Sequence, residues 1–331
     1  MLIKAHLVFF RNEYHIQCKV DQHINQLIGN LDVSLGKCPG IRSFEIKKHI
    51  PSTSEMKETD LIQYHYSPFL PRIWIDIYVI FDTNLSVIQI ADSLADTDNK
   101  AVDITINIFD TIQQSINLSI LTGNIANAGS LSFLGGKFYL ENICFTDFEE
   151  ATNTFAVDFL TGYKYDWPQF IEVTHEDVLK WLKKQIKPNT VMSNSKTTRA
   201  IAAFSNLIFQ KISDESSLNI FWALMGLEAF FCKGKEGLKQ QIFEKSQLVL
   251  GEVKDYKKEI KQMYDIRSEL IHGVLDLPYS FNENLESKEW NTFNNKIYSA
   301  SLVAIKMLIV TFQYMVKNNI EELDFIYKLH H

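Results

Sequence analysis

Tyr264-Asp265-Ile266-Arg267-Ser268-Glu269-Leu270-Ile271-His272-Gly273 is the stretch on which the reading of the C-terminal third of the chain turns. It closes a segment in which Val253, Tyr256, Ile260, Met263 and Leu270 recur in steps of three, four and seven. That spacing marks the buried side of a helix, predicted here over 253–271. Gly273 is placed to end it as the residue after the cap. Arg267 falls on the same apolar seam, four residues after Met263. A guanidinium cannot lose its charge, so on such a seam it needs an acceptor.

The best acceptor lies upstream. Leu218, Ile220, Phe221, Trp222, Leu224, Met225, Leu227, Phe230 and Phe231 make a segment apolar on every side, which predicts a central, buried helix. Its single charge is Glu228. A carboxylate in that setting stays ionised only when a cation meets it. Arg267 and Glu228 are therefore each other's best available partners.

Around these two helices the chain reads as helical throughout. Helices are expected over 198–211, over 214–232 with Asp214 or Ser216 as cap, over 236–250 ending at Gly251, and over about 288–317 after a Pro- and Asn-containing loop at 276–287. Short connections between consecutive helices argue for an up-and-down bundle. Before it, Thr174-His175-Glu176-Asp177 is an N-cap signature, and the helix it opens buries Val178, Trp181, Leu182 and Ile186 before Pro188 stops it. The polar run Asn189–Lys196 reads as a linker, which divides the chain into domains 1–190 and 191–331.

Leu2–Phe10 and Trp74–Phe81 carry strand signals, and Pro39-Gly40, Pro51-Ser52 and Pro68–Pro71 punctuate them as loops. Leu85, Ile88, Ala91 and Leu94 suit a helix. Val102, Ile106, Phe109, Ile112 and Ile116 suit a second, although β-branching leaves strand open for parts of it. Gly123–Gly136 reads as turns and Phe138–Phe148 as a strand or hairpin. The expected fold class is α+β, a mixed α/β N-terminal domain followed by an all-α bundle. His49, His65, Tyr64, Tyr66 and Trp74 show no spacing that demands chemistry, so a structural role is their default.

Composition sets the outer bounds. The chain has 331 residues, 46% hydrophobic and 22% charged, enough for two domains with real cores. A formal net charge of -7 argues against a general nucleic-acid binder. Residues 190–331 hold 17 basic and 17 acidic residues, so the remaining 16 and 23 carry the whole deficit and the C-terminal part repels a polyanion less. Cys18, Cys38, Cys144 and Cys232 have irregular spacing without metal-ligand pairs, as expected for buried, reduced thiols. The start of the chain has no signal-peptide core, and the apolar run Ser301–Val316 is interrupted by Lys306 and Gln313. It reads as a core helix, too short to span a bilayer, so a cytoplasmic protein without membrane contact is expected.

Phe221-Trp222-Ala223-Leu224-Met225-Gly226-Leu227-Glu228-Ala229-Phe230-Phe231, followed by Tyr264–Gly273 as quoted above, resembles the HEPN superfamily and in particular its ApeA-like branch. The likeness covers roughly residues 196–318 and includes the superfamily motif of an Arg and a His separated by a few residues. It implies a helical bundle that forms a homodimer and gathers the Arg and His of both subunits in one cleft. It further implies a metal-independent endoribonuclease without cofactor, of the kind found among bacterial toxins and antiphage or abortive-infection effectors. Carried over by position, Arg267 and His272 are the catalytic pair, with Glu228, Ser268 and Asp265 as supporting polar residues. The tyrosine that some branches place two residues after the His is Val274 here, which speaks against pairing with a nucleotidyltransferase antitoxin.

The chemistry so implied is attack of an RNA 2′-OH on the adjacent phosphorus. Imidazole transfers the proton, and a guanidinium stabilises the charge on the phosphorane. Five residues along a straight helix turn by about 140°, net of whole turns, so Arg267 and His272 act together only if the helix ends between them or a second subunit supplies one. Lys254, Lys258, Lys261, Asp265, Ser268 and His272 form a separate stripe that could lead an RNA backbone to the His. Each residue also has a plainer role. Arg267 can serve only to neutralise Glu228, His272 can be a helix-end imidazole favoured by the dipole, and the lysines can be a solvated face. The alternative is then a non-catalytic RNA- or protein-binding module. The acidic N-terminal domain offers at most a site for an unidentified ligand or activator.

Overall fold

The computed structural model describes residues 1–11, 17–50, 72–81, 100–126, 131–148, 167–187, 190–209, 216–254, 257–276 and 287–325. Tertiary contacts divide the chain into two compact units, Met1–Gly123 with Ala128–Thr154, and Asn124–Asn127 with Phe155–His331.

The first unit runs β1 (Leu2–Arg11), α1 (Gln17–Leu35), β2 (Ile41–His49), β3 (Arg72–Phe81), α2 (Lys100–Ile125), β4 (Leu131–Leu140) and β5 (Ile143–Phe148). The sheet order is β2-β3-β1-β4-β5 and every pairing is antiparallel. Each helix links two strands with a third between them: α1 joins β1 to β2 across β3, and α2 joins β3 to β4 across β1. This is the ferredoxin-like split βαβ arrangement, extended by β5. Side chains alternate across the sheet. Ile3, Ala5, Leu7 and Phe9, with Ile73, Ile75, Ile77, Val79 and Phe81, and Phe138 with Leu140, are all buried. The helices meet that face with Ile24, Leu27, Leu31 and Leu35 and with Val102, Ile108, Ile112 and Ile116. The Phe109 ring packs edge-on to Phe138 at 5.4 Å. The opposite face keeps Lys4, His6, Lys47, Asp76, Tyr78, Lys137 and Tyr139.

Several expectations change here. The strand-like reading of the first 85 residues misses α1, although Ile24, Leu27, Leu31 and Leu35 have helical spacing. Residues 123–136 are not all turns, because α2 runs to Ile125 and β4 begins at Leu131, taking Gly135 and Gly136 into the ladder. The Phe138–Phe148 hairpin forms, turning at Glu141 with φ 54. The expected loops at Pro51-Ser52 and Pro68–Pro71 and the expected helix at Leu85–Leu94 fall outside the described residues.

The second unit contains α3 (His175–Gln185), α4 (Lys196–Ile208), α5 (Ser216–Phe231), α6 (Leu238–Leu250), α7 (Lys257–Ile271) and α8 (Lys288–Lys317). Local signals account for the starts. Thr174 accepts from the Asp177 amide at 3.1 Å, and Ser195 and Thr198 form a reciprocal capping box. Phe312 of α8 is the hub: Trp181, Phe204 and Phe230 approach its ring at 6.1, 5.3 and 5.1 Å. Gly226 lets α5 lie close to α8, since a Cβ there would stand 2.8 Å from Leu308.

The expected boundary at 190 moves toward the N-terminus. The α3 helix belongs to the second unit, because Trp181 packs on Phe312 and its indole donates to the Ile320 carbonyl at 2.8 Å. Ile186, expected in the core, is exposed because the helix ends at Gln185. Pro188, Asp214 and Tyr256 lie outside the described residues. The α5 helix is not buried all round: Leu218 and Met225 are exposed, and Phe221 and Trp222 are half-buried. The α8 helix is longer than the expected apolar run. By length and composition Asn291–Lys317 could cross a membrane, yet 89% of its most apolar window is buried inside the fold. It is packed as a core helix.

Candidate functional site

The seam of α7 is buried through Ile260, Met263 and Ile266, and this fixes where Arg267 emerges. The guanidinium faces α5, where Arg267 Nη2 lies 3.7 Å from Glu228 Oε1. That distance makes an ion pair but not a hydrogen bond. Arg267 Nε and Glu228 Oε1 are both buried without a hydrogen-bond partner. Yet the two side chains keep 23% and 19% of their surface. The pair is therefore joined by charge and not by a hydrogen bond.

Two further side chains meet this pair. The Arg267 guanidinium carbon lies 5.8 Å from the centre of the Tyr264 ring. Burial raises the Tyr264 phenol pKa above its ordinary value, and the Glu228 charge beside it adds to the rise. Cys232, one turn after Glu228, has its thiol pushed up to about 12, by burial first and by Glu228 second. Sequence reasoning left both out of the site, although Tyr264 stands three residues before Arg267 and Cys232 four after Glu228, the helical spacings of neighbours. Since the thiolate is the reactive form, Cys232 is expected to resist alkylation at pH 8 while exposed Cys144 reacts. Peptide mapping after a timed iodoacetamide pulse checks this, and equal labelling of both would contradict it. Cys38 and Cys232 are half-buried thiols and Cys144 is exposed, so none of these three is fully buried as expected, and the Cys18 side chain lies outside the described residues.

His272 is the first residue beyond α7. Its amide donates to the Ser268 carbonyl at 3.0 Å, and the side chain is exposed. Gly273 follows with φ 65, and the amides of Gly273 and Val274 donate to Leu270 and Glu269 at 3.3 and 2.9 Å. This is the Schellman closure of a helix, and it turns the chain away directly after His272. No atom stands within 4 Å of a Cβ built on Gly273, so only its backbone angle resists a side chain. Gly273→Ala is expected to cost about 1 kcal/mol in urea unfolding, and Gly273→Asn less, because Asn tolerates this region. A neutral Ala variant would mean the helix end is not held by this closure.

The other expected site residues are not gathered with Arg267. Asp265 is tied to Lys239 of α6 at 2.6 Å. Ser268 is half-buried and its carbonyl serves the helix end. Lys258 and Lys261 are exposed on α7, with Lys261 over the Phe243 ring at 5.6 Å. Lys254 precedes α7, which begins at Lys257 and not at 253, so the expected lysine stripe is not one continuous helix face. Within one chain, Arg267, Glu228, Tyr264 and Cys232 come together. His272 stands apart and makes no side-chain hydrogen bond or ion pair among the described residues. Among those residues no group of three His, Cys, Asp or Glu side chains is arranged to hold a metal ion.

The fold and this cluster define an α+β protein whose helical unit holds an arginine paired to a glutamate by charge alone, with an exposed histidine five residues on at the end of the same helix. No family model, curated protein or solved structure matches the chain.

Proposed function

We propose that the chain is a metal-independent endoribonuclease of HEPN type, acting as a homodimer on RNA in the cytoplasm of a bacterium, in an antiphage, abortive-infection or toxin role. The observation that carries this reading is the condition of Arg267. It keeps its charge beside Glu228 at 3.7 Å, holds an unsatisfied Nε, and shares a helix end with His272. A guanidinium in that state can turn its fork of donors toward a phosphate, which a bidentate structural pair could not do without breaking two bonds. The exposed side of α5, with Leu218 and Met225, leads along the helix toward Glu228 and supports a second subunit covering that face. In such a dimer an imidazole from either chain can meet an arginine. His272 would move the 2′-OH or leaving-group proton while Arg267 stabilises the phosphorane, giving a 2′,3′-cyclic phosphate and a 5′-OH.

A second reading is favoured by the isolation of His272 within one chain. In it, Arg267 only neutralises Glu228 and the bundle binds RNA or a protein without cleaving. Digestion of RNA in EDTA by wild type, Arg267→Ala and His272→Ala separates the two. Cleavage lost in both variants supports the enzyme, and cleavage that survives both changes rules it out.

A further inference from the structure

The sheet of the first unit carries a second cluster of ionisable side chains on its polar face. His6 of β1 and Asp76 of β3 stand directly opposite each other in the ladder, and His6 Nδ1 lies 2.6 Å from Asp76 Oδ1. His49 of β2 reaches the same carboxylate from the other side, Nδ1 to Oδ2 at 3.3 Å. Asp76 is buried, while the two imidazoles keep 32% and 33% of their surface. An ionised carboxylate only accepts, so His6 Nδ1 bears the proton, and in the neutral ring Nε2 carries a lone pair. A buried carboxylate that fixes the tautomer and direction of a half-exposed imidazole is the arrangement that makes histidine a proton acceptor. Both strands are internal to the sheet, which holds the pair rigidly.

The neighbours indicate what could be bound. Lys137 of β4 is the direct cross-strand partner of His6 on its other side. Lys4 lies two positions along β1 on the same face, opposite both Tyr78 and Tyr139, and its ammonium donates to Asn142 Oδ1 at 3.5 Å beyond the end of β4. The Tyr139 ring packs edge-on to His6 with centroids 5.5 Å apart. A lysine directly across the ladder from His6 and an aromatic ring packed against the imidazole suit a ligand with a phosphate and a base. Lys47, opposite Asp76, is paired with Glu45 at 2.9 Å and lies over the Tyr78 ring, so it contributes less free charge. Both Nδ1 atoms converge on the carboxylate, so the two imidazoles do not form a common metal clamp.

We propose that this polar face is a second catalytic centre, a phosphodiesterase site for small nucleotides in which His6, oriented by Asp76, activates the attacking water. The water oxygen forms a bond to phosphorus while His6 Nε2 takes one of its protons. The bond from phosphorus to a ribose oxygen breaks, and His6 returns the proton to that oxygen. The sum is addition of one water, with no change of oxidation state. Lys137 offsets the phosphate charge, Asp76 is a positioning residue, and His49 acts through Asp76. The proposal does not depend on the Arg267 site.

The test uses the full chain carrying Arg267→Ala and His272→Ala, with 2′,3′-cyclic AMP as the probe and ³¹P NMR to follow the monoester. Hydrolysis is expected above the buffer blank, with His6→Gln lowering kcat by at least about 10²-fold, as loss of a general base does. Gln keeps a polar group against Asp76, so a folded variant is obtained even where His6→Ala is unstable, and circular dichroism verifies the fold. Asp76→Asn is expected to lower kcat with KM retained, which a merely structural carboxylate would not do. No hydrolysis by the His6-containing protein, or a folded His6→Gln protein within about twofold of it, overturns the proposal.

Discussion

His272→Ala is expected to lower RNA cleavage by about 10²–10⁴-fold, the usual contribution of a positioned acid–base group, without moving the unfolding midpoint. The side chain is exposed and makes no described hydrogen bond or ion pair, so its removal should alter stability by less than about 0.5 kcal/mol. Arg267→Ala should behave differently. Under the proposed ribonuclease function it removes a donor to the transition state, worth about 10²–10³-fold, and it leaves the Glu228 carboxylate beside Tyr264 and Cys232 without its cation. Full burial of an unpaired charge costs about 3–5 kcal/mol, but both side chains retain about a fifth of their surface, so about 1–2 kcal/mol is expected. The two variants therefore separate on stability while agreeing on activity. The double variant should be little slower than the worse single one, because under the proposed function the two groups serve one step. Initial rates with EDTA present, set beside urea midpoints for each protein, check this. If Arg267→Ala loses cleavage only in proportion to its unfolded fraction, and His272→Ala cleaves normally, Arg267 is structural.

What the sequence disclosed was local, and what it concealed was the pairing of distant segments. The α8 helix runs over the expected 288–317, because its apolar positions are dense and its ends polar. Gly273 could be read as a helix stop because a positive φ has a residue preference. Arg267 and Glu228 could be matched from 39 positions apart, since each was the conspicuous charge on an otherwise apolar helix surface. No comparable signal joined His6 to Asp76. Each lies in a strand whose alternation puts it on the face away from Ile3, Ala5 and Leu7 anyway, and only the β1–β3 register sets them opposite. His49 was dismissed for the same reason, as its partner on β3 is set by a further register. The neighbours of β1 are β3 and β4, and no turn residue announces either pairing. The limits of α7 were misjudged because Val253 is buried ahead of the helix, its amide held by Gln247 at 3.2 Å. A buried residue adjoining a helix extends the periodic pattern without extending the helix.

The first unit is expected to lose stability between pH 7 and pH 5 through His23. Its imidazole is buried between α1 and α2, where Nε2 donates to the Ser119 carbonyl at 2.8 Å. Burial lowers its pKa to about 4 from an ordinary 6.5, and the carbonyl bond offsets this only in part. The unfolded chain therefore takes up a proton as pH falls below 6.5, while the folded one remains neutral until about 4. Protons bind more to the unfolded state in that window, so stability is full above it and falls as pH is lowered. The expected loss is about 2 kcal/mol by pH 5 and about 3 kcal/mol in total, ahead of most carboxylate titration. His23→Leu should unfold more easily at pH 7, having lost the bond to Ser119, yet change much less between pH 7 and 5. Hydrogen exchange of α1 and α2 peptides reads this unit separately from the helical one. If wild type and His23→Leu lose protection equally on acidification, another group drives the loss.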